Sequence, residues 1–203
     1  MKRILLFIIF IVLNLNSFSQ YIFYRNKLDL SGSLFIYEVF RFNEIEDAGW
    51  ADNGKGYGFG FNYCRRIRYN IWVHSGIHYL YGSNDYYSSP GSSSVPQISL
   101  KQNAHIFQFP LRLGYHFLFN DLLYLRSGLT IDYQLNKKEG IYIDDQSGIG
   151  FSLEGGLEME LEHNFHINLG PEIQVLSLIP FNQEKHQQHF AILRFNIIFG
   201  YDL

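Results

Sequence analysis

Stretch after stretch of this chain alternates apolar and polar residues with a period of two, and the connections between those stretches alternate long and short. Successive side chains of a β-strand point to opposite faces, so each stretch reads as a two-faced strand. The closing segment, "HFAILRFNIIFGYDL", sets Ala191, Leu193, Phe195, Ile197, Phe199, Tyr201 and Leu203 against Ile192, Arg194, Asn196, Ile198, Gly200 and Asp202. The same pattern runs through "GYGFGFNYC", "NIWVHSGIHYLY", "HIFQFPLRLGYHF", "LLYLRSGLTIDY", "GIGFSLEGGLEMEL" and "FHINLGPEIQV". A first strand around Leu28 to Phe40 changes parity, with Leu28, Leu30, Leu34 and Ile36 on one face but Phe35, Tyr37 and Val39 on the other. That switch predicts a bulge near Leu34. Pro110 and Pro171 lie inside strands, where each removes a ladder donor, and bulges are expected there too. No window reads as a long amphipathic helix.

The eight strands are joined in order by the long "NEIEDAGWADNGK", the short "RRIRYN", the long "GSNDYYSSPGSSSVPQISLKQ", the short "ND", the long "QLNKKEGIYIDDQS", the short "EHN" and the polar "FNQEKHQQ". An even number of antiparallel strands with short turns at one end and long loops at the other is the plan of a bacterial outer-membrane barrel. The expected fold is therefore all-β: an eight-stranded antiparallel up-and-down transmembrane β-barrel, with short turns periplasmic and long loops extracellular. Residues Gly82 to Gln102 are expected to form its most mobile loop and likeliest contact surface.

The first residues, "MKRILLFIIFIVLNLNSFSQ", carry Lys2 and Arg3, then an apolar run from Ile4 to Leu15, then Ser17 and Ser19. This is the three-part plan of a secretory signal peptide, with cleavage expected between Ser19 and Gln20. The run falls short of the about 20 residues of a spanning helix. The division is thus 1–19 signal peptide and 20–203 barrel domain. No cysteine follows that would mark a lipoprotein, and Cys64, the one cysteine, is read as a buried or lumenal thiol without a role. Charged residues make up 17% of the chain, below the roughly 25% of soluble domains. A formal net charge of -3 argues against a nucleic-acid partner.

The tyrosines agree with a bilayer. Tyr57, Tyr79, Tyr81 and Tyr133 fall at the extracellular ends of the apolar faces, and Tyr63, Tyr115 and Tyr201 at the periplasmic ends. Rings with one wet end belong at headgroup level, so two aromatic belts flank an aliphatic band. A soluble sandwich, lipocalin-like barrel or secreted carrier would put Lys, Glu and Thr on the opposite faces. Those faces instead carry repeated Gly with Arg, Glu and His, as a cramped interior requires. Eight strands leave room only for side chains. The inward set, with Trp72, His74, His78, Arg112 and Arg126, leaves no large pore.

The chain resembles the small outer-membrane β-barrel proteins of the PorT-like kind, typical of Bacteroidota. The resemblance rests on "HIFQFPLRLGYHF", with its internal proline, on "LYLRSGLTIDY", and on the final aromatic-alternating strand. Such barrels usually end in an aromatic residue, whereas this chain ends in Leu203 after Phe199 and Tyr201. The resemblance implies location and architecture more than chemistry.

A nucleophile needs a base within hydrogen-bond reach. Ser75, Ser127 and Ser152 stand among eight histidines without a spacing that singles out a triad. His74 and His78 share a face but lie about 13 Å apart, too far for one metal ion. His163, His166, His186 and His189 fall at strand ends as solvated side chains. The expectation is a non-enzymatic barrel with no catalytic residues, no metal and no cofactor. It would be a monomer in outer-membrane lipid that braces the membrane, binds a protein partner through its extracellular loops, or assists transport or assembly. The alternative is a lipid-modifying barrel of the lipid A deacylase or acyltransferase type. Folding the strands about their turns places Glu154 opposite Glu172, Glu172 beside Arg194 and Arg126 near Glu154. An inward row, Arg126, Glu154, Glu172, Arg194, is therefore expected to form one charge cluster that braces the wall.

Overall fold

In the computed structural model the described residues are 26–42, 50–51, 53–68, 70–87, 99–117, 122–135, 144–182 and 187–203. The expected signal peptide and its cleavage point lie outside them. Eight long strands run along the chain: β1 (Asn26–Arg41), β2 (Gly54–Arg68), β3 (Ile71–Tyr87), β4 (Ser99–His116), β5 (Leu123–Gln134), β6 (Gly148–Glu160), β7 (Phe165–Pro180) and β8 (Gln188–Asp202). Each pairs antiparallel with the next, and β1 pairs with β8 from Lys27↔Asp202 to Arg41↔Gln188, which closes the barrel. Trp50–Ala51 pairs with Tyr86 and Tyr87 and prolongs the wall on the β2 side of β3.

The local chemistry explains where pairing bends. In the β6–β7 turn His163 and Asn164 both have positive φ, 62° and 66°, the condition of the type I′ hairpin that matches strand twist. The Arg-rich β2–β3 turn shifts the register between Arg66 and Arg68. The largest irregularity lies in β7, where Ser177 takes φ 50° and the β6–β7 register slips between Ile149 and Phe151. Leu176, Ser177 and Leu178 thus stand against the single residue Gly150, a wide bulge in which Leu176 and Ser177 are both buried.

Three expectations are corrected here. There is no bulge near Leu34: β1 keeps one register with β2 from Asn26↔Arg65 to Tyr37↔Gly54. The parity switch has another cause. Phe35 and Tyr37 point into the lumen and are buried, while Leu30, Leu34 and Ile36 face out, so the interior itself turns apolar toward the long loops. Pro110 and Pro171 make no bulge either. Pro110 pairs with Thr130, and Pro171 with Phe195, in unbroken register. Each proline costs only its missing donor, seen as a gap between Ser75↔Leu111 and His78↔Gln108 and another between Glu154↔Glu172 and Leu157↔Leu169. Finally, Gly82–Tyr87 and Ser99–Gln102 are paired strand, Gly82 with Ala104 and Asn84 with Gln102. Residues 88–98 of the expected mobile loop lie outside the described residues.

The outer wall is apolar. Leu34 is 74% exposed, Leu30 and Leu111 62%, and the surface continues through Leu129, Ile173 and Ile197. A soluble monomer does not carry an exposed apolar band around its circumference, whereas a lipid-facing barrel does. Inside, glycines make room for rings: a Cβ at Gly60 would sit 2.2 Å from the His78 ring.

Candidate functional site

The lumen holds the chemistry, arranged in layers. Since one strand face is lumenal, every second residue enters it, and the turns decide which residues share a level. In the middle layer the strands pair Arg126 with Glu154, Glu154 with Glu172, and Glu172 with Arg194. All four are buried, Glu172 completely. Arg194 grips Glu172 with two forked bonds, Nε to Oε2 and Nη2 to Oε1, both 2.7 Å, and Asn196 Nδ2 adds a third at 2.7 Å. Arg126 sits farther off, 3.8 Å from Glu154 and 3.8 Å from Glu158, with its guanidinium 4.1 Å above the Tyr124 ring.

The residue that joins the two carboxylates is Arg112. Its guanidinium lies 3.2 Å from Glu154 and 2.8 Å from Glu172, reaching in from β4, two strands from β6. The sequence placed Arg112 inside the barrel but could not place it here, because the contact crosses the lumen rather than a strand pair. Tyr124 completes the layer by donating to Glu154 Oε1 at 3.0 Å. Two adjacent carboxylates thus share three guanidinium groups, so neither is a stranded buried charge.

Toward the short turns lies a second network. Lys27 Nζ is 2.5 Å from Glu158 and 3.6 Å from Asp202, while His166 bridges Asp29 at 3.0 Å and Asp202 at 3.3 Å. Beside it Cys64 Sγ contacts Asp29 Oδ2 at 3.1 Å, and His74 Nδ1 lies 2.9 Å from the same sulfur. Asp29, Cys64 and His74 are the three residues whose donor set could hold a metal ion among the described residues. Sequence reasoning tested His74 only against His78 along one strand. The partner it missed is Cys64, directly opposite His74 in the β2–β3 register.

Toward the long loops, Gln108 and Thr130 hydrogen-bond Asp132 at 2.8 and 3.2 Å. Above them Phe35, Tyr37, Leu80, Leu176, Phe190 and Ile192 form an apolar plug, with Tyr37 stacked on Phe190 at 4.6 Å. The mouth is covered by Asp144–Ser147. Gln146 is wholly buried there, donating to Gln188 O and accepting from Phe190 N.

The remaining candidates are dispersed. Ser75 and Ser127 take lipid-facing positions opposite Leu111 and Leu113, and the buried Ser152 hydroxyl has no hydrogen-bond partner among the described residues. His78 contacts Asn62, His189 contacts Ser177 O, and His163 is exposed at its turn, while His186 lies outside the described residues. None of these three serines hydrogen-bonds a histidine among the described residues, and the thiol that does meet an imidazole, Cys64 against His74, is buried in the lumen. Tyr57, Tyr79, Tyr81 and Tyr133 stand on the outer wall at the long-loop end, and Tyr63, Tyr115 and Tyr201 at the short-turn end. Tyr57 packs on Tyr81 at 5.2 Å, and Tyr79 Oη lies 2.6 Å from His105 Nδ1.

A family model described as "outer membrane protein beta-barrel domain" matches residues 6–199. Among solved structures, Neisserial surface protein A is similar at a TM-score of 0.50 and 12% identity, over 86% of this chain and 95% of that one. The outer membrane protein OprG of Pseudomonas aeruginosa is similar at 0.50 and 14% identity, over 88% and 95%. No curated protein matches the sequence significantly. At these identities the likeness speaks for the fold.

Proposed function

The chain belongs to the outer membrane protein beta-barrel domain family, and from that premise we propose that it is a closed, non-enzymatic barrel of the outer membrane that presents its long loops to a partner. The family and the barrel neighbours support that location. The observation that carries the closed reading is the filled lumen. The Arg112–Glu154–Glu172–Arg194 layer spans it at mid-height, and the Phe35–Tyr37–Phe190 plug stops it above. The side chains of both layers are buried, and eight strands leave an interior that side chains of this size fill. The four-residue charge row, with Arg112, acts as a brace that ties β4, β5, β6, β7 and β8 across the interior. The tyrosine belts set the barrel's height in the bilayer by placing hydroxyls at the headgroups.

A lipid-modifying activity would need a nucleophile and base at the rim, and the described serines and histidines provide none within reach of each other. The kinship with the PorT-like barrels, carried by "HIFQFPLRLGYHF" and "LYLRSGLTIDY", belongs to this same proposal. The test is a deletion strain of a host that carries the gene. Mass spectra of its lipid A are expected to match wild type, while the tagged protein fractionates with outer membranes and brings down a loop-dependent protein partner. A lipid A species that changes on deletion would overturn the non-enzymatic reading. Recovery in the soluble periplasm would overturn the location.

A further inference from the structure

The charge brace leaves unexplained the Cys64 corner of the lumen. Three donors of different chemistry meet there: a carboxylate from β1, a thiol from β2 and an imidazole from β3. All three side chains are buried, Cys64 completely, and their ligand atoms lie within 4.8 Å of one another. We infer that Asp29, Cys64 and His74 form a binding site for a divalent transition-metal ion of the zinc class, which fastens the first three strands of the barrel to each other.

Geometry comes first. Ligand atoms of a tetrahedral zinc ion, at bond lengths of about 2.0–2.3 Å, stand about 3.3–3.6 Å apart. The sulfur is 3.1 Å from Asp29 Oδ2 and 2.9 Å from His74 Nδ1, so each contact needs to open by about half an ångström to admit the ion. Cys64 and His74 are directly paired across β2 and β3, and Asp29 is one residue-pair removed, opposite Asn62 on β2. The donors are held by backbone register and not by a flexible loop.

Charge and softness then select the ion. A thiolate, a carboxylate and a neutral imidazole sum to two negative charges, which a divalent cation cancels. A sulfur and a nitrogen among the donors suit zinc or cobalt, and magnesium or calcium poorly. The neighbouring cations are directed elsewhere. Lys27, opposite Cys64 in the β1–β2 register, holds Glu158 and Asp202, and Arg126 stands between Glu154 and Glu158. The other oxygen of Asp29 meets His166 Nε2 at 3.0 Å, the outer support that orients a ligating carboxylate. His74 also borders a small cavity with Asn62, His78, Arg112 and Arg126, from which a water can complete the coordination.

The experiment uses the full-length mature barrel refolded in detergent with Co²⁺ or Zn²⁺ present, its folding verified by heat-modifiable gel mobility. One equivalent of Co²⁺ is expected to give thiolate-to-cobalt absorption in the near ultraviolet and intense visible bands of tetrahedral cobalt, both abolished by one equivalent of Zn²⁺. Cys64→Ser should lose the near-ultraviolet band, and His74→Gln and Asp29→Asn should each weaken Zn²⁺ binding at least tenfold. Should a variant fail to fold, zinc-edge X-ray absorption of the wild-type protein decides alone, a single sulfur among nitrogen and oxygen neighbours being the expected shell. Wild-type protein that binds neither ion stoichiometrically, a zinc shell without sulfur, or a folded Cys64→Ser barrel that keeps the near-ultraviolet band would overturn the inference.

Discussion

Replacing Arg112 with methionine should damage the barrel more than replacing either arginine that is a strand neighbour of the two carboxylates. Arg112 contacts Glu154 at 3.2 Å and Glu172 at 2.8 Å, so its loss strips a cation from both. Among the described residues Glu154 would keep the Tyr124 hydroxyl at 3.0 Å and Arg126 at 3.8 Å. Removing one partner of a buried ion pair costs about 3–5 kcal/mol, and a residue that serves two carboxylates belongs at the upper end of that range. Arg194→Met breaks two bonds of 2.7 Å to Glu172, but Arg112 and Asn196 still hold that carboxylate, so about 3 kcal/mol is expected. Arg126 makes no contact shorter than 3.8 Å to either Glu154 or Glu158, and Arg126→Met should cost less, about 2 kcal/mol. The assay is urea unfolding in detergent micelles, read by the fluorescence of lumenal Trp72 and by gel mobility. A loss of about 4 kcal/mol lowers the folding constant by roughly a thousandfold. In the double variant Arg194→Met with Glu172→Met, no charge is stranded within the pair, so the loss should be smaller than the sum of the singles. An Arg112→Met barrel within about 0.5 kcal/mol of wild type, or an order in which Arg126 costs most, would refute the brace.

Reconstituted protein should give no steady porin-sized conductance in planar bilayers, because Phe35, Tyr37, Leu80 and Phe190 close the lumen; stable large steps would contradict this. Leu111→Arg, on the lipid-facing wall and 62% exposed, should cost about 2–4 kcal/mol in bilayers if it lies near the midplane, measured by urea titration in liposomes. Gly60→Ala should destabilise by about 1–3 kcal/mol because its methyl would meet the His78 ring at 2.2 Å. Gly32→Ala, with nothing within 4 Å of the new methyl, should stay within about 0.5 kcal/mol, so equal effects at the two sites would undo the packing argument.

What the sequence could express follows from how far each kind of signal reaches. Alternation by twos is a property of single strands, so the faces of β2 to β8 were legible wherever the alternation is unbroken, up to Tyr81 in β3 and up to Val175 in β7. Register passes through short turns, and the three residues of "EHN" are enough to set Glu154 opposite Glu172. Loop composition misled where strands rise past the bilayer. Gly82–Tyr87 is rich in turn-formers, yet it continues β3 because β4 supplies a partner at every residue. The β1 parity switch misled for a related reason. Period-two reading assumes one polar and one apolar face, and a lumen that changes from Asp29 at one end to Phe35 and Tyr37 at the other breaks that assumption without any break in the backbone. The Ser177 bulge was equally hidden, since neither Leu176 nor Ser177 carries a marker such as glycine or proline.

The contacts that matter most for the site are those no local signal encodes. Arg112 reaches Glu172 from three strands away, across an interior narrow enough that side chains from opposite walls touch. In such a barrel the lumen acts as a second, nonlocal pairing rule: every inward residue has two neighbours set by register and another set by the diameter. Register alone yields the row Arg126, Glu154, Glu172, Arg194, with two carboxylates at its centre and one arginine at each end. The diameter adds Arg112 between those carboxylates, which lowers the repulsion that register alone would leave there. The same rule predicts the order of damage among the three arginines, since the residue contributed across the diameter serves both carboxylates and the row-end arginines chiefly serve one each.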